Sequence, residues 1–386
     1  MSLKLKHDLQ VNLKSLLAKR VISERNNRKR KIEQNISHTR IHASDFKNRI
    51  IQFTAITLAG ISLLQLNLNQ NNTIETQQVQ AKAAVFSNSE LKAVKEYQTK
   101  YQQISKIRHD RNSMLQNPKN PAYSELNSDY KNSYLDTVNY YRSMFDLSPL
   151  TYNQKDMKKA QLAAYALATS HASPQVNQHG MSSDRKPAKM SWQKWKIAKE
   201  VTNISNLDFL PDPNSGFTSA QDFLSEKHDS SDDTGHRAWL LSAKLHYTGL
   251  GSVYDSVYHN KDVVMPVIHH FDAKHESNVS SVLYPAKLFP IEEAKGTRWS
   301  VYLDKPIKDK KYKVYITDLD TGRKTKGRSV QNFSDSGYGW WQGIITYKYG
   351  KTKLIPGHKY RIRIPGVKTY TTKLFNERVK HVYPME

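Results

Sequence analysis

Residues 234–253 read TGHRAWLLSAKLHYTGLGSV and change from a helical to a strand pattern within a few positions. The segment GHRAWLLS at 235–242 has apolar residues at helical spacing. The runs YTGLGSVYDSVY at 247–258 and VVMPVIHHF at 263–271 are rich in β-branched and aromatic residues, as strands are. This stretch therefore predicts a helix followed by two strands.

The residues before this stretch are predicted to be helical. SYLDTVNYYRSMF at 133–145 places apolar side chains on one helix face, and DMKKAQLAAYALATSHA at 156–172 predicts an alanine-rich helix suited to close packing. Residues 86–115 have a narrower apolar stripe and predict a helical preface, either a spacer or an arm packed on the domain after it. Helices first and strands last predict an α+β domain with helices on an antiparallel sheet.

The residues after this stretch change pattern again. Short alternating runs separated by turns predict an all-β domain, most simply a small sandwich, with Lys and Arg on the outward positions and in the turns. These runs are WSVYLD at 299–304, KYKVYITDLD at 311–320, WWQGIITYKY at 340–349, HKYRIRIPG at 358–366 and YTTKLF at 370–375.

The charge of the chain is large and unevenly distributed. The 386 residues include 59 Lys and Arg against 35 Asp and Glu, a formal net charge of +24, and no Cys. The absence of Cys excludes disulfides, thiol catalysis and cysteine-ligated metal sites. Residues 84–282 hold 23 basic and 21 acidic residues, whereas residues 283–386 hold 22 and nine, a net charge of +13. A block this basic predicts association with a polyanion that weakens with salt.

The first 83 residues predict a secretory signal peptide with a long basic n-region. The apolar run IIQFTAITLAGISLLQL at 50–66 follows a basic stretch, and Ala81-Lys82-Ala83 predicts cleavage after Ala83. Retention of the apolar run as an N-terminal membrane anchor is the alternative, and a nuclear or nucleic-acid patch at RNNRKRK is a weaker one. An exported chain without Cys and with so long an n-region is typical of a Gram-positive bacterium.

Residues 130–275 resemble the CAP superfamily, the cysteine-rich secretory, antigen-5 and pathogenesis-related proteins. The resemblance rests on VNYYRSMFDLSPLTYN at 138–153, with its Asn–Arg pair, and on the Gly-His-Arg segment with the following Gly-x-Gly strand. It implies a CAP-like α-β-α sandwich. The predicted fold class is therefore α+β, with this sandwich followed by a small all-β domain. The predicted division is 1–83 signal peptide, 84–126 helical preface or linker, 127–280 CAP-like domain and 283–386 basic β-sandwich.

The resemblance also implies a cleft that contains two His and two Glu. His236 matches the His of Gly-His, Glu200 the acid of a Gly-Glu-Asn motif, and Glu226 the acid of a Trp-Tyr-x-Glu motif. The first His is His179 in NQHG, with His171 as the alternate. The sequence departs from the family because Lys199 and Val201 flank Glu200, and because only ten positions separate Glu226 from His236. Nearby substitutes for Glu226 are Asp222, Asp229, Asp232 and Asp233.

Such a cleft allows two kinds of chemistry. Two imidazoles, His179 and His236, with one or two carboxylates can bind zinc and leave a coordination position open. The same groups can act as general acid and base. Each His can equally serve as a hydrogen-bonding residue of the fold, Glu226 as an exposed helix carboxylate, and Arg237 as the partner of one of the acids.

Other motifs are weaker. His269-His270 fit strand packing better than a site, and Ser170-His171 lacks the glycines of a nucleophile elbow. Trp340-Trp341 suggest carbohydrate stacking, but adjacent strand residues face opposite sides, which favours one core and one surface ring.

These observations predict a secreted protein associated with the cell surface. The basic domain is expected to hold it on an anionic, teichoic acid-like wall polymer, with extracellular DNA as a second partner, and no membrane span is expected after cleavage. The CAP-like domain is expected to be a non-enzymatic binding module. The alternatives are a metal-assisted hydrolase of wall polymer, peptide or nucleic acid, and a surface-exclusion or adhesion protein.

Overall fold

The computed structural model describes residues 86–106, 125–211, 215–227, 232–268 and 277–378. All of these ranges belong to one compact unit that runs from Gln80 to Glu386. None of the helices in these ranges is both long and apolar enough to cross a membrane. The predicted leader, its cleavage site and His269-His270 lie outside the described residues.

Helices and strands follow the predicted order only in part, because the strands Thr151–Tyr152 and Ser205–Pro211 lie among helices that were expected to precede all strands. The helices are α1 (Asn88–Ser105), α2 (Ser128–Ser143), α3 (Gln154–Ser170), α4 (Trp192–Asn203), α5 (Gly216–Ser225), α6 (Gly235–Leu240) and α7 (Ile291–Ala294). The first seven strands are β1 (Thr151–Tyr152), β2 (Ser205–Pro211), β3 (Tyr247–Thr248), β4 (Gly251–Asp255), β5 (Asn260–Pro266), β6 (Ser281–Tyr284) and β7 (Leu288–Pro290). The later strands are β8 (Trp299–Leu303), β9 (Tyr315–Asp318), β10 (Lys324–Lys326), β11 (Arg328–Asn332), β12 (Gly343–Lys348), β13 (Lys359–Ile364) and β14 (Lys368–Phe375).

Strands β2, β5 and β4 form an antiparallel sheet between two helical layers. The alternation along β5 separates the layers, because Val264 packs with α3 and α4, whereas Val263 and Met265 pack with α2 and α5. The Tyr134 hydroxyl of α2 lies 3.0 Å from the Met265 sulfur. This arrangement is an α-β-α sandwich, and the predicted α+β fold class is confirmed.

Close packing between α3 and β4 depends on an alanine-rich helix and a glycine. A Cβ atom on Gly251 would lie 2.1 Å from the carbonyl oxygen of Ala160. Ala163 and Ala164 continue the same buried surface of α3. The Gly-x-Gly strand therefore lets the helix backbone approach the sheet directly.

Helix α1 is an arm that packs on the rest of the molecule. It begins with a capping box between Ser87 and Glu90. The Tyr97 ring stacks on Phe375 of β14 and meets Tyr140 of α2 edge-on. The arm therefore joins the first helix of the sandwich to the last strand of the chain.

Residues 281–375 form two further sheets. One has the strand order β10-β9-β13-β14-β7 and the other β11-β12-β8-β6, and the hydroxyls of Tyr347 and Tyr370 meet between them at 2.7 Å. One continuous apolar cluster includes Tyr134 of α2, Met265 of β5 and Ile345 of β12. The all-β region thus shares its core with one layer of the sandwich.

The strand predicted to begin at Trp340 begins instead at Gly343. Trp340 and Trp341 lie in and just after a short 3-10 turn, Tyr338–Trp340, where Trp341 is buried and Trp340 meets Trp239 edge-on at 4.9 Å. A Cβ atom on Gly339 would lie 2.2 Å from the carbonyl oxygen of Ala238, so the turn is pressed onto α6.

Two buried carboxyl groups meet where the end of β14 approaches α2. Glu377 and Glu293 are almost fully buried, and Glu377 Oε1 accepts a hydrogen bond from the Tyr140 hydroxyl at 2.8 Å. Burial, and then the charge of Glu293, raise the pKa of Glu377 well above its usual value, while Arg378 lowers it. Burial is also the main cause that raises the pKa of Glu293, against Lys227.

We expect Glu377→Gln to reduce the pH dependence of stability. Since the pKa of Glu377 is raised in the folded state, its stabilising effect is complete below the unfolded pKa and is lost as the pH rises through the folded pKa. In the wild-type chain the free energy of unfolding should fall between pH 5 and pH 8, by up to about 1.4 kcal/mol per pH unit for each titrating group. In Glu377→Gln the free energy of unfolding should fall by less over the same range. Urea unfolding at both pH values measures this, with the exposed Glu125→Gln as control. An unchanged slope in Glu377→Gln would contradict the assignment.

Candidate functional site

The short helix α6 is held in place by the fully buried guanidinium of Arg237. This side chain donates to the carbonyl oxygens of Leu224 and Ser225, at the C-terminal end of α5. It also donates to the Arg298 carbonyl at 2.7 Å and to the Ser300 hydroxyl at 3.2 Å, both in the all-β region. The partners are carbonyl and hydroxyl oxygens, so the expected pairing of Arg237 with an acid is not observed among the described residues.

The all-β region encloses the residues just before α6. The Arg298 guanidinium forms an ion pair with Asp232 at 2.8 Å, and the Thr234 hydroxyl lies 2.7 Å from that of Tyr302. Asp233 accepts the backbone N–H of Gly235 and the Tyr338 hydroxyl. Asp232 and Asp233 therefore support the fold around α6, and Asp229 lies outside the described residues.

A partly exposed His236 and a buried Glu226 form a pair at this position. Glu226 ends α5 in the left-handed conformation, and Nδ1 of His236 lies 3.1 Å from its Oε2. Its Oε1 accepts the backbone N–H of Arg237 at 2.8 Å. The side chain of Glu226 is only 3% exposed, so it is not an exposed helix carboxylate. A separation of ten residues is therefore sufficient to bring Glu226 and His236 together.

His179 lies on the loop after α3, near enough to His236 for the charge of His236 to act on it. Its Nδ1 donates to the Thr202 carbonyl at 3.1 Å, which leaves the lone pair of the neutral ring on Nε2. Partial burial lowers the pKa of His179, the Thr202 carbonyl opposes this, and the charge of His236 lowers it further. His179 and His236 are thus close enough to interact electrostatically.

Sequence reasoning missed a carboxyl group at this cleft. Asp208 lies on β2 between Leu207 and Phe209, and faces α5. Burial, then the charge of Asp222, raise the pKa of Asp208 well above its usual value, whereas His236 lowers it. An acid between apolar residues, in the run NLDFL, is the pattern that could have identified it.

Glu200 is not brought to this pair. It is exposed on α4 and lines an open cleft of about 680 Å³ with Lys155 and Lys159 of α3. Neither His179 nor His236 lines that cleft. Glu200 thus lines a cleft that the two histidines do not line, and its match to a Gly-Glu-Asn motif stays a prediction.

His171, the alternate for His179, lies elsewhere. It ends α3 in the left-handed conformation, and its Nδ1 is 3.1 Å from Oδ1 of Asp255 at the end of β4. In this structure His171 is therefore the partner of Asp255, at the end of strand β4.

The cleft fits a zinc ion only in part. Nδ1 of each imidazole points to an oxygen, an orientation typical of metal-binding His, but catalytic zinc sites use three protein ligands. In the described ranges, one group of three His, Asp or Glu side chains has ligand atoms within 4.8 Å of one another, and it consists of Asp318, Asp320 and His358. The two imidazole nitrogens of His179 and His236 would supply only two of the three protein ligands that such a zinc site uses.

We expect Arg237→Lys to lower the free energy of unfolding by about 3 kcal/mol. An ammonium group cannot reach the five oxygens that the guanidinium bonds, and buried carbonyls left without a donor each cost about 1–3 kcal/mol. Denaturant unfolding measures the change, with Arg323→Lys on the exposed turn after β9 as the control. Equal stability of the two variants would show that the Arg237 network contributes little.

Comparison with known families agrees with the fold. The model of the CAP family, the cysteine-rich secretory protein family, matches residues 135–265, from α2 to the end of β5. No match to a curated protein is found. The matched residues include Glu226, Arg237 and the three-stranded sheet. The chain therefore contains a CAP domain, and an all-β region follows it.

Proposed function

We propose that this protein acts outside the cell as a CAP-domain binding protein, and that its all-β region attaches it to an anionic phosphodiester polymer of the cell wall. The observation that carries this proposal is a cationic sheet face, the outer surface of the five-stranded sheet. It consists of Lys324, Lys326, Lys359, Arg361 and Arg363.

The register of the strands arranges these cations in rows. Lys324 of β10 and Arg361 of β13 both lie opposite Thr317 of β9. Lys326 and Arg363 both lie opposite Tyr315 in the next row. Rows two residues apart along a strand are separated by about 7 Å. Strands β10 and β13, on either side of β9, are about 10 Å apart. An extended polymer with regularly spaced phosphates can contact several of these cations at once.

Acidic side chains of the described residues do not pair with these cations, although the charge of Glu90 in α1 interacts with that of Lys359. The outward positions of β9, β10 and β13 are Lys, Arg, Thr and Tyr, and none of the five cations forms an ion pair in the described part of the chain. Lys373 on β14 differs, because it pairs with Glu90 of α1 at 2.7 Å. The arm thus meets the sheet at β14 and forms no ion pair with the five cations in the described part of the chain.

The predicted export of the chain supports a wall polymer as the partner. The predicted signal peptide would place the face outside the cell, where wall polymers with phosphodiester backbones are abundant. Extracellular DNA has the same backbone charge and is the alternative partner.

The CAP domain would bind a ligand or a partner protein through the cleft between His179 and His236. Metal-assisted hydrolysis is the alternative function, and the His236–Glu226 pair favours it. Against it, Glu200 lines a different cleft, and the two imidazoles lack a third ligand among the described residues.

We expect the cationic sheet face to determine polymer binding. Changing Lys324, Lys326, Arg361 and Arg363 together to Gln should weaken binding of the full-length chain to purified wall teichoic acid by roughly tenfold or more in low salt. The slope of log K against log salt should decrease by about 3, because four phosphate contacts are lost.

The matched control changes Lys308, Lys310, Lys311 and Lys313 to Gln, four exposed cations before β9. If the control loses as much affinity, net charge and not this face is responsible. Failure of the wild-type chain to bind the polymer, or a clear preference for duplex DNA over it, would overturn the proposed partner.

We expect elemental analysis of the zinc-treated, desalted full-length chain to find well below one zinc per chain. Two imidazole nitrogens without a third protein ligand bind zinc too weakly to survive desalting. About one zinc per chain, lost in His179→Ala and His236→Ala but kept in the exposed-residue control His259→Ala, would contradict this and support the hydrolase.

A further inference from the structure

A buried polar cluster lies at the end of the β4–β5 hairpin, apart from the cleft and the cationic sheet face. Asp255 pairs with Asn260, and Asp262 pairs with Val253, so the three polar side chains share one face of the hairpin. Asp255, Asn260 and Asp262 are 1%, 5% and 0% exposed. Val253 on the same face packs against the apolar cluster of α3 and α4.

Each of these side chains has one oxygen that makes no hydrogen bond to the described residues. Asp255 Oδ2, Asn260 Oδ1 and Asp262 Oδ2 are enclosed and have no hydrogen-bond partner in the described part of the chain. Buried oxygens without a partner cost about 1–3 kcal/mol each, so three together are unusual.

The remaining polar atoms of the cluster are already used. Asp255 Oδ1 accepts the backbone N–H of Val257 at 2.7 Å and lies 3.1 Å from Nδ1 of His171. Asp262 Oδ1 accepts the side-chain amide of Asn260 at 2.6 Å. These bonds fix the orientation of the two carboxylates, and the strand register places the oxygens without a hydrogen bond on side chains of one hairpin face.

We propose that the Asp255–Asn260–Asp262 cluster binds one hard divalent cation, and that this cation is Ca²⁺. Two carboxylates and one amide oxygen are ligands of the type that Ca²⁺ prefers, and Ca²⁺ tolerates irregular geometry and completes its shell with carbonyls and water. A cation also offsets the repulsion between the two acids. Without one, burial and then the charge of Asp255 raise the pKa of Asp262 to about 8.

Bound Ca²⁺ would fasten the β4–β5 hairpin to the end of α3, where His171 reaches Asp255. This site is independent of polymer binding and of the His236 cleft.

A second acidic cluster serves as an internal control. Asp318, Asp320 and His358 have ligand atoms within 4.8 Å of one another, but their oxygens already accept hydrogen bonds. Asp318 accepts the backbone N–H groups of Asp320 and Thr321, and Asp320 accepts that of Lys359 at 2.7 Å. These hydrogen bonds close the turn after β9, and this role explains why the three side chains lie together without a cation.

The test is a CaCl2 titration of the chelator-treated full-length chain by calorimetry and by thermal unfolding. We expect one Ca²⁺ per chain and a rise in Tm of roughly 5 °C at a hundredfold excess over the Kd. Asp262→Asn and Asp255→Asn should each weaken binding at least tenfold, while Asp320→Asn should bind as the wild type does.

No heat and no Tm shift with CaCl2, MgCl2 or MnCl2 in the wild-type chain would overturn the proposal, since the enclosed oxygens would then hold protons or water. Binding that is lost in Asp320→Asn and kept in Asp255→Asn would overturn it as well, because the cation would lie at the other cluster. Absence of binding in the wild-type chain overturns the proposal even if a variant fails to fold, and the Asp320→Asn variant of the second cluster locates any binding that is seen.

Discussion

Two buried arginines connect the helices on which the rest of the structure depends. Arg237 donates to the last carbonyls of α5, and Arg142 donates to the Leu240 and Ser242 carbonyls at the end of α6. Helix ends have carbonyl groups without intrahelical partners, and a guanidinium can bond several of them at once. A helix as short as α6 would not persist alone, so these contacts replace the hydrogen bonds that it lacks. His236, next to Arg237, takes its position from the same network.

The network also explains why the CAP domain and the all-β region pack as one unit. Arg237 reaches the Arg298 carbonyl, and Arg298 in turn pairs with Asp232 before α6. The four-stranded sheet thereby helps to hold the cleft, whereas the five-stranded sheet carries the cationic face. Under the proposed function, one part of the all-β region supports the binding module and the other attaches it to the wall.

Buried carboxyl groups lie at three junctions of this basic chain. Asp208 faces α5 at the cleft, Asp262 lies at the hairpin beside α3, and Glu377 lies where β14 ends against α2. At each junction, burial raises the pKa because it removes the carboxylate from water, and the charge of a neighbouring acid raises it further. Such groups hold a proton or a cation, which makes each junction sensitive to its ionic surroundings.

Local patterns in the sequence determined the helices, most of the strands and the outward cations. The alternation in KYRIRI predicts Lys359, Arg361 and Arg363 on one face, because successive side chains of a strand point to opposite faces of the sheet. The alanine-rich helix and the Gly-x-Gly strand likewise predict close packing.

Tertiary structure alone decided the sites. It placed Asp208 at the cleft and Glu200 elsewhere, buried Glu226, and moved Trp340 off the strand. It also set Asp255 opposite Asn260, a pairing that the hairpin register fixes. Burial and hydrogen bonding depend on which distant segments meet, and local periodicity does not contain that information.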